Sequence, residues 1–350
     1  MRVVIADPPA YTPPYDAALA TALVRQGVDV RLLTSRFRFG VVPPAAGYTV
    51  DDSLYRLSAG IGSRHGRLVA KALGHPRALA RLASVDCDLL HLQWIPAPEV
   101  DAWLLHTRRP LVFTAHDLLP RRTARHIRTW KRLFDRFDRV VTHSERGRRT
   151  LAEFGVAEAR LRVIPHPVFH SEPMREDDGR TVLALGVIRP YKGLADAVEA
   201  VLGIPSARLL VAGDPRVPLD ALQAAAGDRA EWRLGYLNDQ EIVRALGSAT
   251  VAVFPYRAEL DQSGALLQAL GAGVPAVVYD VGGLGEIVGA FGAGRVVPPG
   301  DVAGLTRALR ELLDDDDALA EARAGAARAQ ADLTWDTAAA AHLALYEELT

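Results

Sequence analysis

Short apolar runs alternate with longer segments of helical periodicity along the chain. In the first half, this pattern predicts strands at residues 3–6, 28–34, 89–92, 111–114, 140–143 and 162–164. Leucine and alanine recur at helical spacing over residues 15–26, where Gly27 ends the predicted helix. Parallel neighbouring strands need a crossover helix to return the chain, so the alternation predicts a parallel sheet.

The alternation breaks once, at the polar, proline-containing residues 166–180, and then resumes. The second set of predicted strands comprises residues 181–185, 208–212, 250–254, 276–279 and 295–297. A last amphipathic helix begins at Trp335, with Thr334 as its expected cap. The sequence therefore predicts an α/β fold with two doubly wound, Rossmann-like domains and the following boundaries: residues 1–166, a linker at 167–180, residues 181–333, and a C-terminal helix at 334–350 that crosses back to the first domain. Ligands of such sheets bind beyond the carboxyl ends of the strands, so functional residues are expected in the loops that follow them.

Composition narrows the class of protein. The 350 residues are 49% hydrophobic, which suits two packed cores and excludes a disordered chain. A single cysteine, Cys87, excludes an intrachain disulfide and a four-thiolate zinc site. The chain has no run of about 18 apolar residues and its first residues lack the apolar core of a signal peptide, so we expect a cytoplasmic protein.

Charge is distributed unevenly along the chain. Residues 1–165 carry 26 basic and 15 acidic side chains, and the remainder carries 15 basic and 27 acidic ones, for a net charge of -1. The basic half is therefore available to an anionic partner.

Two loops of the second half combine cations with a predicted helix start. Gly186 follows a strand and allows close backbone approach, and Arg189 and Lys192 then precede a helix. Ser263 begins another helix after the strand at 250–254, and the free amides of such a start suit phosphate oxygens. A solvated basic loop and an ordinary helix cap are the alternatives.

Several segments in the same order resemble the family 4 glycosyltransferases. They are GVIRPYKG at 186–193, AGD at 212–214, RLGYLNDQEI at 233–242, QALGAGVPAVVYDVGGLGE at 268–286, TAHD at 114–117, THSE at 142–145 and VIPHP at 163–167. The resemblance covers nearly the whole chain. It implies the GT-B architecture, in which two Rossmann-like domains face a central cleft, and a retaining transfer of a sugar from a nucleotide diphosphate sugar to an acceptor hydroxyl.

The resemblance also implies roles for individual residues. Arg189 and Lys192 match the cationic pair that holds the donor diphosphate, and His116 matches a histidine at the reaction centre. The implied donor-binding residues are Gly186, Tyr236, Leu237, Glu259, Asp261, Gln262, Ser263, Gly264, Ala265 and Gln268. On the acceptor side we expect Tyr15, Asp16 and Trp94, the first two near the position of a histidine common in the family. No cofactor and no metal are expected, since the nucleotide sugar is a substrate.

The sequence departs from the family pattern at the expected carboxylates. Gln268 and Leu260 stand where two glutamates are usual, with Glu259 and Asp261 beside the latter. Val187 replaces an arginine that usually follows the glycine. We interpret these differences as a sub-branch with RPYKG and QSG motifs, and the carboxylate that contacts the sugar is left open.

The expected mechanism stabilises the departing diphosphate by Arg189, Lys192 and helix-start amides, because no carboxylate pair of the glycosidase type is evident. A nucleotide-sugar epimerase of the same fold and an inactive nucleotide-sugar-binding relative are the alternatives. A periplasmic-type solute binder would need an export signal. A dinucleotide-dependent oxidoreductase is disfavoured, since the loop after the first strand, ADPPAYTPP, has no G-x-G-x-x-G.

Two charged stretches suggest further partners. Residues 121–149 hold 11 basic and 3 acidic side chains, with Ile127, Trp130, Phe134 and Phe137 on one helical stripe. This stripe is either core-facing or an interfacial helix on an anionic membrane at the inner face; no nucleic-acid recognition module is visible. The four carboxylates at 314–317 could attract a cation, but we interpret them as a solvated turn between helices. The sugar, the base, the acceptor and the oligomeric state are left open.

Overall fold

The computed structural model describes residues 1–37, 40, 42, 44–120, 123–257 and 261–350, with Arg64 described by its backbone alone. These residues form two compact units. Unit 1 comprises Met1–Pro165 and Trp335–Thr350, and unit 2 comprises His166–Thr334.

Unit 1 is built on a seven-stranded parallel sheet in the order β3-β2-β1-β4-β5-β6-β7. Its strands are β1 Arg2–Asp7, β2 Asp29–Ser35, β3 Thr49–Leu54, β4 Leu89–Leu92, β5 Leu111–Thr114, β6 Arg139–Thr142 and β7 Leu161–Val163. Its helices are α1 Pro13–Arg25, α2 Arg56–Ala59, α3 Arg64–Ser84, α4 Pro98–Leu104, α5 Ile127–Phe134, α6 Glu145–Phe154 and, at the end of the chain, α14 Trp335–Glu347.

The middle strands of unit 1 are short apolar runs because helices cover both faces of the sheet. Every residue of β4 and β5 is buried. The strand order reverses between β1 and β4, and ligands of doubly wound sheets bind at such a switch point. A ligand site of unit 1 is therefore expected in the loops after these two strands.

The last helix, α14, completes the core of unit 1. Its Ala339 and Tyr346 are fully buried in one apolar cluster with Leu19 and Leu23 of α1. The Arg25 guanidinium at the end of α1 donates to Asp336 from Nε at 3.0 Å.

Unit 2 is built on a six-stranded parallel sheet in the order β10-β9-β8-β11-β12-β13. Its strands are β8 Thr181–Leu185, β9 Arg208–Gly213, β10 Ala230–Leu234, β11 Val251–Phe254, β12 Ala276–Tyr279 and β13 Gly294–Val297. Its helices are α7 Leu194–Leu202, α8 Asp220–Ala226, α9 Asp239–Gly247, α10 Gly264–Gly271, α11 Gly283–Phe291, α12 Val302–Asp314 and α13 Asp316–Asp332. Here the strand order reverses between β8 and β11.

The segment expected as a linker, residues 167–180, is hydrogen-bonded to unit 2. The Val168 amide donates to the Leu333 carbonyl at 2.9 Å, and the Ser171 amide donates to the Gly271 carbonyl at 3.0 Å. These bonds make the segment part of unit 2, so the chain passes from one unit to the other at residues 165–166.

The charged stretches have structural explanations. Trp130, Phe134 and Phe137 are buried in the core of unit 1, which confirms the core-facing interpretation for them, whereas Ile127 is 53% exposed. The carboxylates at 314–317 lie at the turn between α12 and α13, where Asp315 caps α13. Within the described ranges, no helix has the combined length and hydrophobicity needed to cross a membrane.

Candidate active site

The loop after β8 brings Lys192 against the start of α10. Gly186 has φ +105°, a value that favours glycine. A Cβ added to Gly186 would lie 3.2 Å from Lys192 Nζ and 3.4 Å from the Cβ of Ala265. The ammonium group, the Gly186 backbone and the first turn of α10 are therefore neighbours at the switch point of unit 2.

Two more glycines let the backbones of this region approach. A Cβ on Gly193, which has φ +66°, would lie 2.0 Å from the Pro255 carbonyl oxygen. A Cβ on Gly213 would lie 2.1 Å from the Gly186 carbonyl oxygen. The loops after β8, β9 and β11 thus touch through their main chains, and any larger residue at Gly193 or Gly213 would separate them.

The cations of this region lack carboxylate partners. Lys192 is half-buried with its Nζ 4.9 Å from the centre of the Tyr256 ring, a cation–π contact, and forms no ion pair with a described residue. The Arg189 side chain is exposed and makes neither a hydrogen bond nor an ion pair with the part of the chain that is described. By contrast, Arg257 donates from Nε to Asp196 at 3.0 Å. Lys192 and Arg189 are therefore the cations available to an anionic ligand.

The start of α10 offers free backbone donors. Ser263 caps the helix by accepting from the Leu266 amide at 3.4 Å, and its Oγ lies 3.1 Å from the Tyr256 hydroxyl. The amides of Gly264 and Ala265 have no acceptor among the described residues. Unsatisfied first-turn amides beside a lysine form an anion site, since both the N–H groups and the helix dipole favour negative charge.

In unit 1, His116 follows β5 and lies within a cluster of aromatic rings. Its Nε2 lies 2.8 Å from Gln93 Oε1. The Trp94 ring stacks on it with centroids 5.3 Å apart, and the buried Tyr15 ring meets it edge-on at 4.7 Å. Gln93 and Trp94 come from the loop after β4, so the cluster lies at the switch point of this sheet.

A second histidine is placed to hold a proton on His116. The His143 Nδ1 lies 3.0 Å from the Ile164 carbonyl and must donate to it, so its Nε2 carries a lone pair. That Nε2 lies 3.4 Å from His116 Nδ1. Burial lowers the pKa of His143 to about 4, so at neutral pH it stays uncharged and accepts.

Gln93 is positioned by a series of hydrogen bonds between buried side chains, which the sequence analysis did not identify. Its Nε2 lies 3.4 Å from His91 Nε2, and His91 Nδ1 lies 2.7 Å from the Tyr346 hydroxyl of α14. Burial is the main reason that the pKa of His91 lies well below its ordinary value. The available signal was a histidine inside the otherwise apolar strand LLHL, which requires a buried partner.

Two family models match the chain one after the other. The model described as Glycosyltransferase Family 4 matches residues 17–172, and the model described as Glycosyl transferases group 1 matches residues 179–315. Both matches support assignment of the chain to the family 4 glycosyltransferases.

Curated relatives agree with these family matches. The glycogen synthase of Mycobacterium tuberculosis is 35% identical over 174 residues, which are 47% of this chain and 42% of that protein. The chain spans about half the length of the curated relatives it matches at this level of identity.

Similar solved structures include sucrose-phosphate synthase from Thermosynechococcus elongatus, with TM-score 0.75, 20% identity and coverage of 100% of this chain and 99% of that one. They also include Anabaena HepE in complex with UDP-glucose, with TM-score 0.72, 15% identity and full coverage of both chains. At these identities the likeness concerns the fold, and together with the two parallel sheets it confirms the predicted GT-B architecture.

The other residues expected at the donor site belong to the loops after β10 and β11 and to α10. Gln268 is half-buried one turn into α10, and its side-chain amide makes no hydrogen bond with a described residue. Gln262 Oε1 accepts from the Ser263 amide at 3.2 Å, whereas Asp261 is fully buried and offers no exposed carboxylate. Tyr236 is 66% exposed after β10. Leu237 packs on the core of unit 2, and Glu259 lies outside the described residues.

Two expected acceptor residues are buried instead. Tyr15 is 2% exposed and packs on His116, and Asp16 is 1% exposed. Burial, and then the charge of Asp7, raise the pKa of Asp16 well above its ordinary value, and burial raises that of Asp7. Neither Tyr15 nor Asp16 presents a surface to an acceptor; they support the His116 cluster and the loop after β1. Trp94 is half-buried, with its indole N–H bonded to Thr12 at 2.8 Å.

The described residues contain no group of three or more histidine, cysteine, aspartate or glutamate side chains arranged to hold a metal ion.

Proposed function

We propose that this glycosyltransferase binds a nucleotide diphosphate sugar in unit 2 and transfers the sugar to an acceptor hydroxyl with retention of anomeric configuration. One observation supports this most strongly. Lys192, which has no carboxylate partner among the described residues, lies against Gly186 and Ala265, beside two free amides at the switch point of the sheet. This arrangement suits a diphosphate, and the UDP-glucose complex of the similar HepE fold supports the choice of ligand.

The proposed chemistry centres on the leaving group. The bond between the anomeric carbon and the diphosphate oxygen breaks, and negative charge accumulates on the phosphate. Lys192, Arg189 and the Gly264 and Ala265 amides stabilise that charge as preorganised donors. A phosphate oxygen takes the proton of the acceptor hydroxyl, which forms the new bond on the face that the diphosphate leaves.

His116 has a supporting role in this proposal. The two nitrogens of the His116 ring lie within hydrogen-bond distance of the Gln93 oxygen and of His143 Nε2, and these contacts fix the orientation of the ring. We assign it to orienting the sugar and to steadying charge in the transition state.

The Lys192→Ala variant tests the proposal. Loss of one transition-state donor should lower turnover by about 10²-fold or more. Turnover is measured as release of nucleoside diphosphate from the nucleotide sugar on which the wild type is most active, with water as acceptor. The matched control is Lys131→Ala in unit 1, since Lys131 also lies over an aromatic ring, Phe154, at 5.9 Å. The control should retain wild-type turnover.

Donor binding supplies an independent readout. Uridine, guanosine, adenosine and thymidine diphosphates are compared by thermal shift, where a ligand at 100 times its dissociation constant adds about 2.7 kcal/mol. Lys192→Ala should lose most of the shift that the preferred nucleotide gives to wild type. A variant that keeps both the shift and turnover within about threefold of wild type would contradict the assignment.

A further inference from the structure

A second pocket lies in unit 1 at the carboxyl ends of three neighbouring strands. It has a volume of about 320 Å³ and is lined by Ala10 after β1, Arg36 after β2 and Tyr55 after β3. Small-molecule sites are of this size, and the carboxyl edge is where doubly wound sheets bind ligands. The residues that line it are distinct from His116, Gln93 and the cluster around them.

The pocket concentrates positive charge. Four cations line it, Arg36, Arg56, Arg67 and Lys71, against one carboxylate, Asp52. Arg36 and Arg56 are exposed, and neither forms an ion pair with the part of the chain that the structure describes. Arg67 donates to the Ile61 carbonyl at 3.2 Å, and Lys71 Nζ lies 5.5 Å from the centre of the Tyr55 ring. The four cations still repel one another, and an anion bound among them would relieve that repulsion.

One wall of the pocket is fixed by a buried hydrogen-bonded chain. The Tyr55 hydroxyl lies 2.6 Å from His75 Nδ1, and His75 Nε2 lies 2.6 Å from Asp101 Oδ1. All three residues are buried, and the second Asp101 oxygen accepts from the Ala97 amide at 2.9 Å. Such a chain holds the Tyr55 side chain in a single position.

Backbone strain occurs at the same place. Among the described residues, the two that are not glycine and have positive φ are Ala10, at 57°, and Tyr55, at 54°, and both line this pocket. Strained backbone costs free energy and clusters at ligand sites. The pocket is therefore a built feature and not an accidental gap between loops.

We propose that this pocket binds a phosphate group of the acceptor, an inference that rests on the proposed transferase function. A phosphate monoester carries nearly two negative charges at neutral pH and a phosphodiester carries one, and the guanidinium fork matches the oxygens of both. The pocket has three more cations than carboxylates. A ligand carboxylate would neutralise only one of these charges, and a neutral acceptor would neutralise none. A soluble phosphorylated metabolite and a lipid phosphate share this chemistry, and exposed Leu57, Leu68 and Leu73 on α2 and α3 make the lipid source worth testing.

Site-resolved arginine labelling tests the proposal on the full chain. The protein is treated with phenylglyoxal in inorganic phosphate or in chloride of equal ionic strength, and peptide mass spectrometry gives the rate at each arginine. Occupancy by mass action should slow labelling of Arg36 and Arg56 by about threefold or more. Arg128, an exposed arginine of α5 with no ion pair to a described residue, is the matched control and should be unaffected.

Arg189 separates failure of this inference from failure of the proposed function. Protection of Arg189 with unchanged rates at Arg36 and Arg56 would overturn the acceptor pocket and leave the donor site standing. Protection of Arg36 and Arg56 without Arg189 would support the pocket and count against the donor site. Equal slowing of Arg128 would show general salt screening and overturn the pocket.

A double variant and vesicles complete the design. Arg36→Gln with Arg56→Gln should fold, because both side chains are exposed. It should reduce by about tenfold the protection that phosphate gives Lys71 against acetylation by acetic anhydride, an amine-reactive reagent used here because phenylglyoxal reacts with arginine. Unchanged protection of Lys71 would contradict the pocket. Protection of Arg36 and Arg56 by phosphatidylglycerol vesicles but not by phosphatidylcholine vesicles would support a lipid phosphate. Protection of the two arginines by free phosphate alone would support a soluble phosphorylated acceptor. Protection by neither would overturn the proposal.

Discussion

Replacing Gly193 by alanine should damage unit 2 and its anion site together. Gly193 has φ +66°, where a residue with a side chain loses about 1–2 kcal/mol. The added Cβ would also lie 2.0 Å from the Pro255 carbonyl oxygen, so one backbone must move. Overpacking of this kind costs about 1–3 kcal/mol, for a total of about 2–5 kcal/mol. The loops that would separate are those that bear Lys192 and Tyr256, so nucleotide binding should fall as well.

The control for this substitution is Gly300→Ala in the same unit. Gly300 has φ +82°, and its added Cβ would meet no atom within 4 Å, so this variant isolates the cost of positive φ. Urea unfolding should show a loss of about 1–2 kcal/mol for Gly300→Ala and clearly more for Gly193→Ala. Equal losses, with full nucleotide binding by Gly193→Ala, would refute the argument that this contact positions the site.

Two more outcomes can be measured on purified protein. The raised pKa values of Asp7 and Asp16 mean that the native state holds a proton that the unfolded chain releases, so this pair loses stability as pH rises above 3.8. Asp16→Asn should therefore gain stability relative to wild type as the pH rises above 3.8 in urea titrations, and a constant difference would show that the native-state pKa values of the pair are not raised. Excess EDTA should leave nucleoside diphosphate release unchanged, since the carboxylates at 314–317 lie at a helix turn capped by Asp315; abolition by EDTA would contradict metal-independent transfer.

Buried parallel strands were predictable from sequence, whereas two of the four edge strands, β3 and β10, were not. The run VAVF of β11 is apolar because both faces of the strand are covered, and the pattern locates it within a residue. The edge strands β3 and β10 have the sequences TVDDSL and AEWRL and leave most of their residues partly or fully exposed. Polar edge strands have no apolar signal, and the sheet pairing that defines them lies far away in the chain.

The residues of the candidate sites also differ in how far the sequence could predict them. Lys192, Ser263 and His116 follow strands within recognisable motifs, so their neighbourhood could be predicted. The Tyr256 ring beneath Lys192 is visible only once three-dimensional contacts are known.

The cationic pocket of unit 1 has residues from four separate places in the chain. In a sequence with 41 basic residues, no single arginine among them stands out. Conversely, Tyr15 and Asp16 stand near the position of a histidine common in the family but are buried, because α1 begins at Pro13 and directs them inward.

The most direct test of the account is a crystal structure of the protein with the nucleoside diphosphate that stabilises it most. The account predicts that the diphosphate lies against Gly186, with its oxygens in hydrogen-bond distance of Lys192 Nζ and the Gly264 and Ala265 amides. A diphosphate bound elsewhere, with Lys192 and the start of α10 still in contact with each other, would contradict it.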